Sequence, residues 1–363
     1  MLPAEIRSAH PYFMYEEIHA QPDVVAAALA TSTTEIARVG EAAALARRIV
    51  LVGCGTSFHA AWVGQYFFEN FLPDCVTRAA IAHELLHSGP AIEPEDLVIG
   101  LSHSGGTATT IAALEKAHQA GARTVAVTGF PQSSLAYTVQ HVIATGYELE
   151  KSWAHTASYT ASLVILARLA LEAGGQRRSN EAAAELSHLP EKVRAALGLA
   201  PRMQEFARRH RDRRRFIFVG SGPNWPSAAE AALKMQETNY SHAEGMEVEQ
   251  LLHGPLASVD ENTVVVLLAP EGLASARFLD VARAARMIGS LTLAVVGPGQ
   301  EALADACDDS LQMPSIAELL SPILFAVPAQ LLSYYLAVER GVNPDLLHRH
   351  EKKYLEARAS YVL

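Results

Sequence analysis

IVLVGCGTS at residues 49–57 and FIFVGSGPN at residues 216–224 are the two most informative stretches of this chain. Each begins with an unbroken apolar run, which is typical of a strand that is buried on both faces of a parallel sheet. Each run ends in a glycine, Gly53 or Gly220, that is followed by small and polar residues, as at a tight turn from a strand into a helix. The two stretches therefore predict a duplicated α/β domain, with one copy in each half of the chain.

Strand-like and helix-like patterns alternate along the rest of both halves. Further apolar runs predict buried strands at residues 96–102, 124–129, 263–270 and 291–297. Helical patterns at residues 108–121 and 275–289 lie between them and end in a glycine, a common helix C-terminus. This alternation predicts an α/β fold of two doubly wound, Rossmann-like parallel-sheet domains in tandem. We expect a helical lead-in at residues 1–45, a first domain at residues 46–195, a second domain at residues 196–340 and a C-terminal tail at residues 341–363.

The composition indicates a globular, acidic protein. Half of the 363 residues are apolar and 19% are charged, so the chain can bury two cores and has little material for long disorder. Its 29 basic and 39 acidic residues give a net charge of −10. Neutralisation of phosphates supplies most non-specific affinity for nucleic acid, so we expect no nucleic-acid partner. The short basic run at residues 207–215 does not change this expectation.

Cysteines and apolar stretches bear on the cellular compartment. Cys54, Cys75 and Cys307 show no paired spacing, so neither a disulfide framework nor a zinc ribbon is expected. The N-terminal residues carry charges and prolines where a signal peptide needs an apolar core. The most apolar stretch, residues 319–338, is interrupted by two prolines, a glutamine and serines, so no membrane span is predicted. We expect a cytoplasmic protein without a membrane partner.

The loop CGTS at residues 54–57 follows the first predicted strand. Glycine lets the backbone approach a ligand, and the hydroxyls lie at the start of a helix, where an anion is favoured. A dinucleotide fingerprint requires glycine at position 58, which is Phe58, and no Asp or Glu closes the next strand to hold a ribose. An anion site is therefore favoured over a dinucleotide site, and a purely structural turn is the alternative.

The loop SHSGGT at residues 102–107 follows the second predicted strand and opens a helix. Its three hydroxyls, two glycines and helix N-terminus can surround a tetrahedral oxyanion with neutral donors. A serine-rich helix start can also be a plain N-cap, but one cap needs only one such residue. The sequence therefore favours an anion site here over a simple cap.

HELLH at residues 83–87 matches the H-E-x-x-H pattern of zinc proteases. A third ligand should follow downstream in such an enzyme, whereas this segment ends at Ser88 and leads through Gly89-Pro90 into a parallel strand. We therefore expect no metal here, and we interpret His83 and His87 as surface or dimer-contact residues.

Residues 234–255 contain the densest cluster of acid–base side chains in the chain. Lys234 and Glu237 are three residues apart and share a helix face, which is ordinarily the arrangement of a solvated ion pair. Their neighbours are half apolar, so partial burial and shifted pKa values are the alternative that we favour. With His253, which lies in a loop bounded by glycine and proline, they form a set suited to moving protons next to a carbonyl.

These motifs together resemble the sugar isomerase (SIS) family, in the tandem arrangement of the isomerase half of glucosamine-6-phosphate synthase. The resemblance runs from MYEEI at residues 14–18 into the C-terminal tail. Its landmarks are CGTS (54–57), SHSGGT (102–107), LKMQE (233–237), SHAEG (241–245) and LLHGPLA (251–257). No glutaminase domain precedes MYEEI, so we expect a closer similarity to stand-alone amino-sugar-6-phosphate deaminase/isomerases and fructosamine-6-phosphate deglycases.

The resemblance implies which residues bind the substrate, a small sugar phosphate. The serines and the threonine of the loop 102–107 would hold the phosphate, and the loop 54–57 would line the sugar. The substrate-binding residues are then Cys54, Gly55, Thr56, Ser57, Ser102, His103, Ser104, Thr107 and His155.

The resemblance also implies the catalytic residues. Glu237 would move a proton between C1 and C2 of the sugar, and Lys234 would assist it. His253 would open the sugar ring in the site of a neighbouring subunit, which implies a homodimer with a shared active site. A lysine near the C-terminus closes the site in this family, and Lys352 lies nearest to that position, with Lys353 adjacent. No metal or redox cofactor is implied.

Three departures from the family pattern leave the substrate open. His103 and Gly106 stand where glutamine and glutamate are common, and WAHTAS at residues 153–158 replaces a V-A-S-T-K-type segment. The tail reads DLLHRHEKK at residues 345–353 in place of D-x-P-R-x-L-x-K. We expect a phosphosugar isomerase that releases the amine of an amino-sugar 6-phosphate. The alternatives are a fructosamine-6-phosphate deglycase, a simple isomerase of a sugar phosphate or sulfonate, and a non-catalytic sensor, which would not need the acid–base set.

Overall fold

A computed structural model describes residues 6–148, 150–175 and 179–361 and contains two five-stranded parallel sheets. The first sheet consists of β1 (Arg48–Gly53), β2 (Val76–Ile81), β3 (Asp96–Leu101), β4 (Arg123–Thr128) and β5 (His141–Ala144). The second consists of β6 (Arg215–Gly220), β7 (His242–Glu247), β8 (Thr263–Ala269), β9 (Leu291–Val296) and β10 (Asp309–Gln312). The strand orders are β2-β1-β3-β4-β5 and β7-β6-β8-β9-β10. The predicted tandem of doubly wound parallel sheets is confirmed.

Helices flank both sheets. Those of the first half are α1 (Phe13–Ala30), α2 (Thr33–Ala44), α3 (Thr56–Phe71), α4 (Ala82–His87), α5 (Ala108–Gln119), α6 (Ser134–Thr138) and α7 (Ala157–Gly174). The stretch between the sheets forms α8 (Ser179–Ser187), α9 (Leu189–Leu197) and α10 (Ala200–Arg209). The remaining helices are α11 (Asn224–Asn239), α12 (Val248–Leu252), α13 (Ser275–Ile288), α14 (Glu301–Ala306), α15 (Ser321–Glu339) and α16 (Lys352–Arg358). The predicted helical patterns correspond to α5 and α13.

The chain is divided into two compact units. The first-sheet unit holds residues 20–150, 155–190 and those from His348 onward. The second-sheet unit holds residues up to His19, residues 151–154 and residues 191–347.

The central strands form the core of each unit. Every residue of β3 and of β8 is buried, which explains why these strands are apolar after their first residues, Asp96 and Thr263. In the second-sheet unit, Val265 and Leu267 of β8 pack in one cluster with Phe278 and Val281 of α13. Each fully buried side chain of this kind stabilises the fold by about 1.5–3 kcal/mol.

The outermost strands β2, β5, β7 and β10 were missing from the sequence prediction. In β2 and β7, buried and solvent-accessible residues are mixed, because an edge strand is only partly covered. These strands therefore include polar residues, such as Arg78 in β2 and Glu244 in β7, and lack the apolar run that marks a central strand. The segment that contains SHAEG, identified above as part of the acid–base cluster, is mostly edge strand β7.

Among the described residues, one helix is long and apolar enough to cross a membrane by length and composition, and it spans Glu318–Glu339. The prolines and polar residues of this stretch do not interrupt the helix, because α15 continues through Pro328. Its apolar window is 94% buried inside the molecule, where it packs against α10 and α11. It is therefore the core helix of the second-sheet unit.

The strand orders indicate where ligands are expected. In both sheets the order reverses beside the first strand, between β1 and β3 in one and between β6 and β8 in the other. Open α/β sheets bind ligands in the crevice outside the carboxyl ends of the strands at such a switch point. The loops CGTS and SHSGGT follow β1 and β3 and therefore lie at the switch point of the first sheet.

Candidate functional site

The loop after β1 turns tightly into α3. Gly55 precedes the helix with φ +54°, a left-handed conformation that favours glycine. Its carbonyl accepts hydrogen bonds from the N–H groups of Phe58 and His59, at 2.9 and 3.1 Å. Thr56 and Ser57 begin α3 and are half-buried, so their hydroxyls lie in the first turn of a helix at the switch point.

The loop after β1 contacts the first turn of α5. Cys54 Sγ lies 3.4 Å from Thr109 Oγ1 and 4.0 Å from Thr110 Oγ1. Both threonines belong to the first turn of α5, the helix that SHSGGT opens. The structure thus brings together two segments that lie about fifty residues apart in the chain.

The hydroxyls of SHSGGT form a hydrogen-bonded loop. Ser102 Oγ lies 3.1 Å from Thr107 Oγ1, and Ser104 Oγ accepts a hydrogen bond from the N–H of Gly106 at 3.3 Å. Thr107 is the N-cap residue of α5 but, in the described part of the chain, makes no side-chain cap to this helix. The N–H groups of the first turn are therefore available to an anion, together with the hydroxyls.

Gly105 allows the loop SHSGGT to pack against the segment at the start of α6. Its φ is +61°, and a Cβ there would lie 1.9 Å from Ser133 Oγ in the loop that precedes α6. The carbonyl of Gly105 accepts a hydrogen bond from the N–H of Leu135 at 2.9 Å. Glycine is therefore needed at this position for both its conformation and its size.

In the first-sheet unit, the ring of His103 packs among the rings of neighbouring residues. Its ring centroid lies 5.0 Å from that of His155 and 5.6 Å from that of Phe130, both in edge-to-face contact. Burial lowers the pKa of His103 to about 4, although the carboxylate of Glu150 opposes the shift. The imidazole of His103 is therefore neutral near pH 7 and brings hydrogen-bonding groups, not charge, to the anion loop.

Glu150 is a partly buried carboxylate that was not identified from the sequence. Its Oε1 accepts hydrogen bonds from the N–H groups of Thr156 and Ala157, at 2.5 and 2.9 Å, and its Oε2 from the hydroxyl of Ser158. Burial raises the pKa of Glu150, but His155, His103 and these hydrogen bonds outweigh burial and hold the pKa below its usual value. Glu150 therefore caps α7 as an anion beside both imidazoles.

In the second-sheet unit, Lys234 lies between two carboxylates on one face of α11. Its Nζ lies 3.4 Å from Glu230 Oε1 and hydrogen-bonds Glu237 Oε2. The spacings of four and three residues place all three side chains along the same face. Lys234 and Glu230 are buried, whereas 21% of the Glu237 side chain is exposed. The partial burial expected for the pair is observed, and Glu237 is the member that reaches solvent.

His253 projects from the surface of its unit. It follows α12, and 69% of its side chain is exposed. Its Nε2 lies 2.9 Å from Glu249 Oε1, and Glu249 also accepts two hydrogen bonds of 2.7 Å from Arg277. The hydrogen bonds from Arg277 and, to a smaller extent, the one with His253 lower the pKa of Glu249 to about 2. The carboxylate that pairs with His253 is therefore ionised.

The two tail lysines lie on α16 and are exposed. The exposed fractions of the Lys352 and Lys353 side chains are 89% and 73%. Lys352 Nζ lies 3.7 Å from Glu356 Oε1, and Lys353 Nζ lies 3.3 Å from Glu351 Oε2. Surface pairs of this kind contribute little to stability, so either ammonium can leave its partner for an anionic ligand.

His83 and His87 lie on α4, where both are exposed and their ring centroids are 4.5 Å apart. Within residues 6–148, 150–175 and 179–361, no group of three or more His, Cys, Asp and Glu side chains is arranged to hold a metal ion.

Comparison with known proteins gives a consistent assignment. The SIS domain model matches residues 44–172 and again residues 211–340. The chain is 36% identical over 347 residues to the glutamine–fructose-6-phosphate aminotransferase [isomerizing] of Gloeobacter violaceus, which covers 92% of this chain and 57% of that protein. The corresponding protein of Methanothermobacter thermautotrophicus is 35% identical over 340 residues, covering 93% and 56%. This chain thus spans little more than half the length of these curated relatives.

A solved structure with the same architecture is the C-terminal domain of glucosamine-fructose-6-phosphate aminotransferase from Francisella tularensis. The TM-score is 0.87 at 26% identity, and the match covers 93% of this chain and 98% of that one. Because the SIS model matches the chain twice, over more than half of its length, the chain belongs to the SIS domain family.

Proposed function

We propose that this chain is a phosphosugar isomerase that converts an amino-sugar 6-phosphate of the glucosamine type into a ketose phosphate and releases the amine. The relatives named above are isomerizing aminotransferases of fructose 6-phosphate, which supports a hexose phosphate as the substrate. The observation that carries the proposal is the buried Lys234 that pairs with the partly exposed carboxylate of Glu237. A protein that only senses a ligand does not need a buried ammonium next to a base.

The anion loop supplies the binding step. The hydroxyls of Ser102, Ser104 and Thr107 and the first N–H groups of α5 hold the phosphate without a cation in the loop. The segment 54–57 contacts the sugar. The neutral ring of His103 and the ring of His155 offer it their polar ring nitrogens. Both histidines depart from the family pattern, so we expect them to determine selectivity for the sugar or for its amine substituent.

Glu237 performs the central proton transfer. In the open-chain amino sugar, its carboxylate takes the proton from C2, and the electron pair of the C–H bond forms an enolamine between C1 and C2. The same proton then returns to C1, which leaves an iminium at C2. Water adds to the iminium carbon; one of its protons passes to the O1 oxyanion and the other to the nitrogen, and the amine departs as the C2 carbonyl of the ketose phosphate forms. Lys234 stabilises the negative charge that develops on oxygen during the first transfer.

His253 opens the sugar ring, and we propose that it does so in the site of a second copy of the chain. The large exposed fraction of its side chain, with Glu249 ionised behind it, supports a role outside its own unit. A lysine of α16 closes the site over the bound sugar, Lys352 or its neighbour Lys353. The functional form is then a homodimer with a shared active site.

The experiment is a product assay on purified protein. Glucosamine 6-phosphate should yield fructose 6-phosphate and ammonia in equal amounts, and Glu237→Gln should abolish both products. Release of an amino acid from a fructosamine 6-phosphate, without turnover of glucosamine 6-phosphate, would instead identify a deglycase. Thermal stabilisation by sugar phosphates without any product would support the sensor and overturn the proposal.

A further inference from the structure

Glu230 is a buried carboxylate that the proton transfer described above does not use. It lies one turn before Lys234 on α11 and is 2% exposed. Its Oε1 is 3.4 Å from Lys234 Nζ, on the same helix face as the base Glu237. A buried carboxylate is costly to desolvate, and that cost is offset here because an ammonium lies next to it.

Catalysis changes the charge of only one partner of Lys234. When Glu237 takes the proton from the substrate, its carboxylate becomes neutral and no longer balances the ammonium. A buried ammonium with no anionic partner is strongly disfavoured and would tend to lose its own proton. The carboxylate of Glu230 stays charged throughout this cycle, because the substrate proton goes to the more exposed Glu237.

We propose that Glu230 is a positioning residue: it keeps Lys234 protonated and fixed on α11 while Glu237 gains and loses the substrate proton. The inference rests on the proposed function. With Glu230 present, the three side chains carry a net charge of −1 before proton transfer and zero after it. Without Glu230, the same step would change the net charge of the remaining Lys234–Glu237 pair from zero to +1. Because this pair is largely buried, the added positive charge opposes proton uptake by Glu237.

The elements packed against α11 are α15, β7, β6 and β8, and all of them except β8 carry titratable groups. They are Tyr334, Tyr335 and Glu339 on α15, His242, Glu244 and Glu247 on β7, and Arg215 on β6. Burial raises the pKa of Tyr335 to about 12 and that of Tyr334 further, so both stay neutral in the working range. None of these residues changes in the variants below, so a difference between variants reports on Glu230.

The test compares Glu230→Gln, Glu230→Asp and Ala231→Gly in the full chain. Removing the anion should lower the pKa of both Glu237 and Lys234, so both limbs of the kcat–pH profile should move to lower pH by about 1–2 units. We expect kcat to fall about 10–100-fold, the effect of a mistuned general base, with KM little changed. Glu230→Asp keeps the charge and should restore both limbs. Ala231→Gly weakens the buried part of the same helix without changing charge and should move neither limb.

A second measurement does not depend on turnover. In protein labelled with ¹³C at the glutamate carboxyl, the Glu237 resonance, assigned by its loss in Glu237→Gln, should titrate at lower pH in Glu230→Gln than in the parent. Unchanged pH limbs and an unchanged titration would overturn the inference and leave Glu230 a packing residue. A parent protein without activity on any sugar phosphate would refute the proposed function, and the carboxyl titration would still decide the role of Glu230.

Discussion

Replacing Gly105 with alanine tests the geometry of the anion loop. At φ +61°, an L-residue costs about 1–2 kcal/mol relative to glycine. The new Cβ would also lie 1.9 Å from Ser133 Oγ and 2.3 Å from Ser133 Cβ, closer than real Cβ atoms approach any neighbour. Forcing the loop and Ser133 apart costs about a further 1–3 kcal/mol. Gly105→Ala should therefore lower the free energy of unfolding by about 2–5 kcal/mol.

Gly106 provides a matched control in the same loop. A Cβ at Gly106 would have Ser104 Oγ at 3.7 Å as its nearest neighbour, an ordinary contact, and Gly106 is not among the glycines with positive φ. Gly106→Ala should therefore raise the free energy of unfolding by about 1 kcal/mol or less. Both variants add one methyl group. The difference between their free energies of unfolding therefore measures the cost of the left-handed conformation and of the steric overlap at Gly105.

Urea unfolding followed by far-UV circular dichroism measures this difference. Combining Gly105→Ala with Ser133→Gly should recover part of the loss, because it removes the two atoms nearest to the new Cβ and leaves only Thr128 Oγ1, at 3.2 Å, in tight contact. Calorimetric titration with a sugar phosphate should show weaker binding by Gly105→Ala even where the variant is folded. Equal stability of Gly105→Ala and Gly106→Ala, with binding unchanged, would refute the loop geometry described here.

Further expectations concern Glu237, His253 and Glu150. Glu237→Gln keeps the shape of the side chain but removes the base, so kcat should fall about 10²–10⁴-fold with KM little changed; full activity would assign the proton transfer elsewhere. Mixing the inactive variants Glu237→Gln and His253→Ala should restore part of the activity through hybrid dimers, whereas an active monomer would contradict the shared site. Glu150 has a lowered pKa in the folded chain, so its stabilising effect is present above the ordinary glutamate pKa of 4.5 and is lost as the pH falls through the lower, folded-state pKa. Glu150→Gln should therefore lower the unfolding free energy at pH 7, and its deficit should shrink below pH 4.5; a deficit independent of pH would show that the charge does not matter.

The sequence alone was enough to predict the central strands and the loops that follow them. A strand buried on both faces carries few polar side chains, so β1, β3, β6 and β8, which are apolar after their first residue, are evident without knowledge of their neighbours. The same reasoning predicts ligand-binding loops at the carboxyl ends of β1 and β3, because the chain direction in a parallel sheet brings those ends together. The Lys234–Glu237 pair was also identifiable, since helical spacing determines which side chains share a face.

Tertiary structure decided the edge strands and the surroundings of the site residues. Edge strands such as β2 and β7 mix buried and exposed positions, and their pairing depends on a neighbour distant in the chain. Glu150 looks like an ordinary charged residue in the sequence, because its partial burial, its cap on α7 and its proximity to His103 arise only when the loop after β3 and the segment before α7 meet. The contrast within α11 has the same origin: packing of α11 against α15 and β7 buries Glu230 and Lys234 but leaves Glu237 partly exposed.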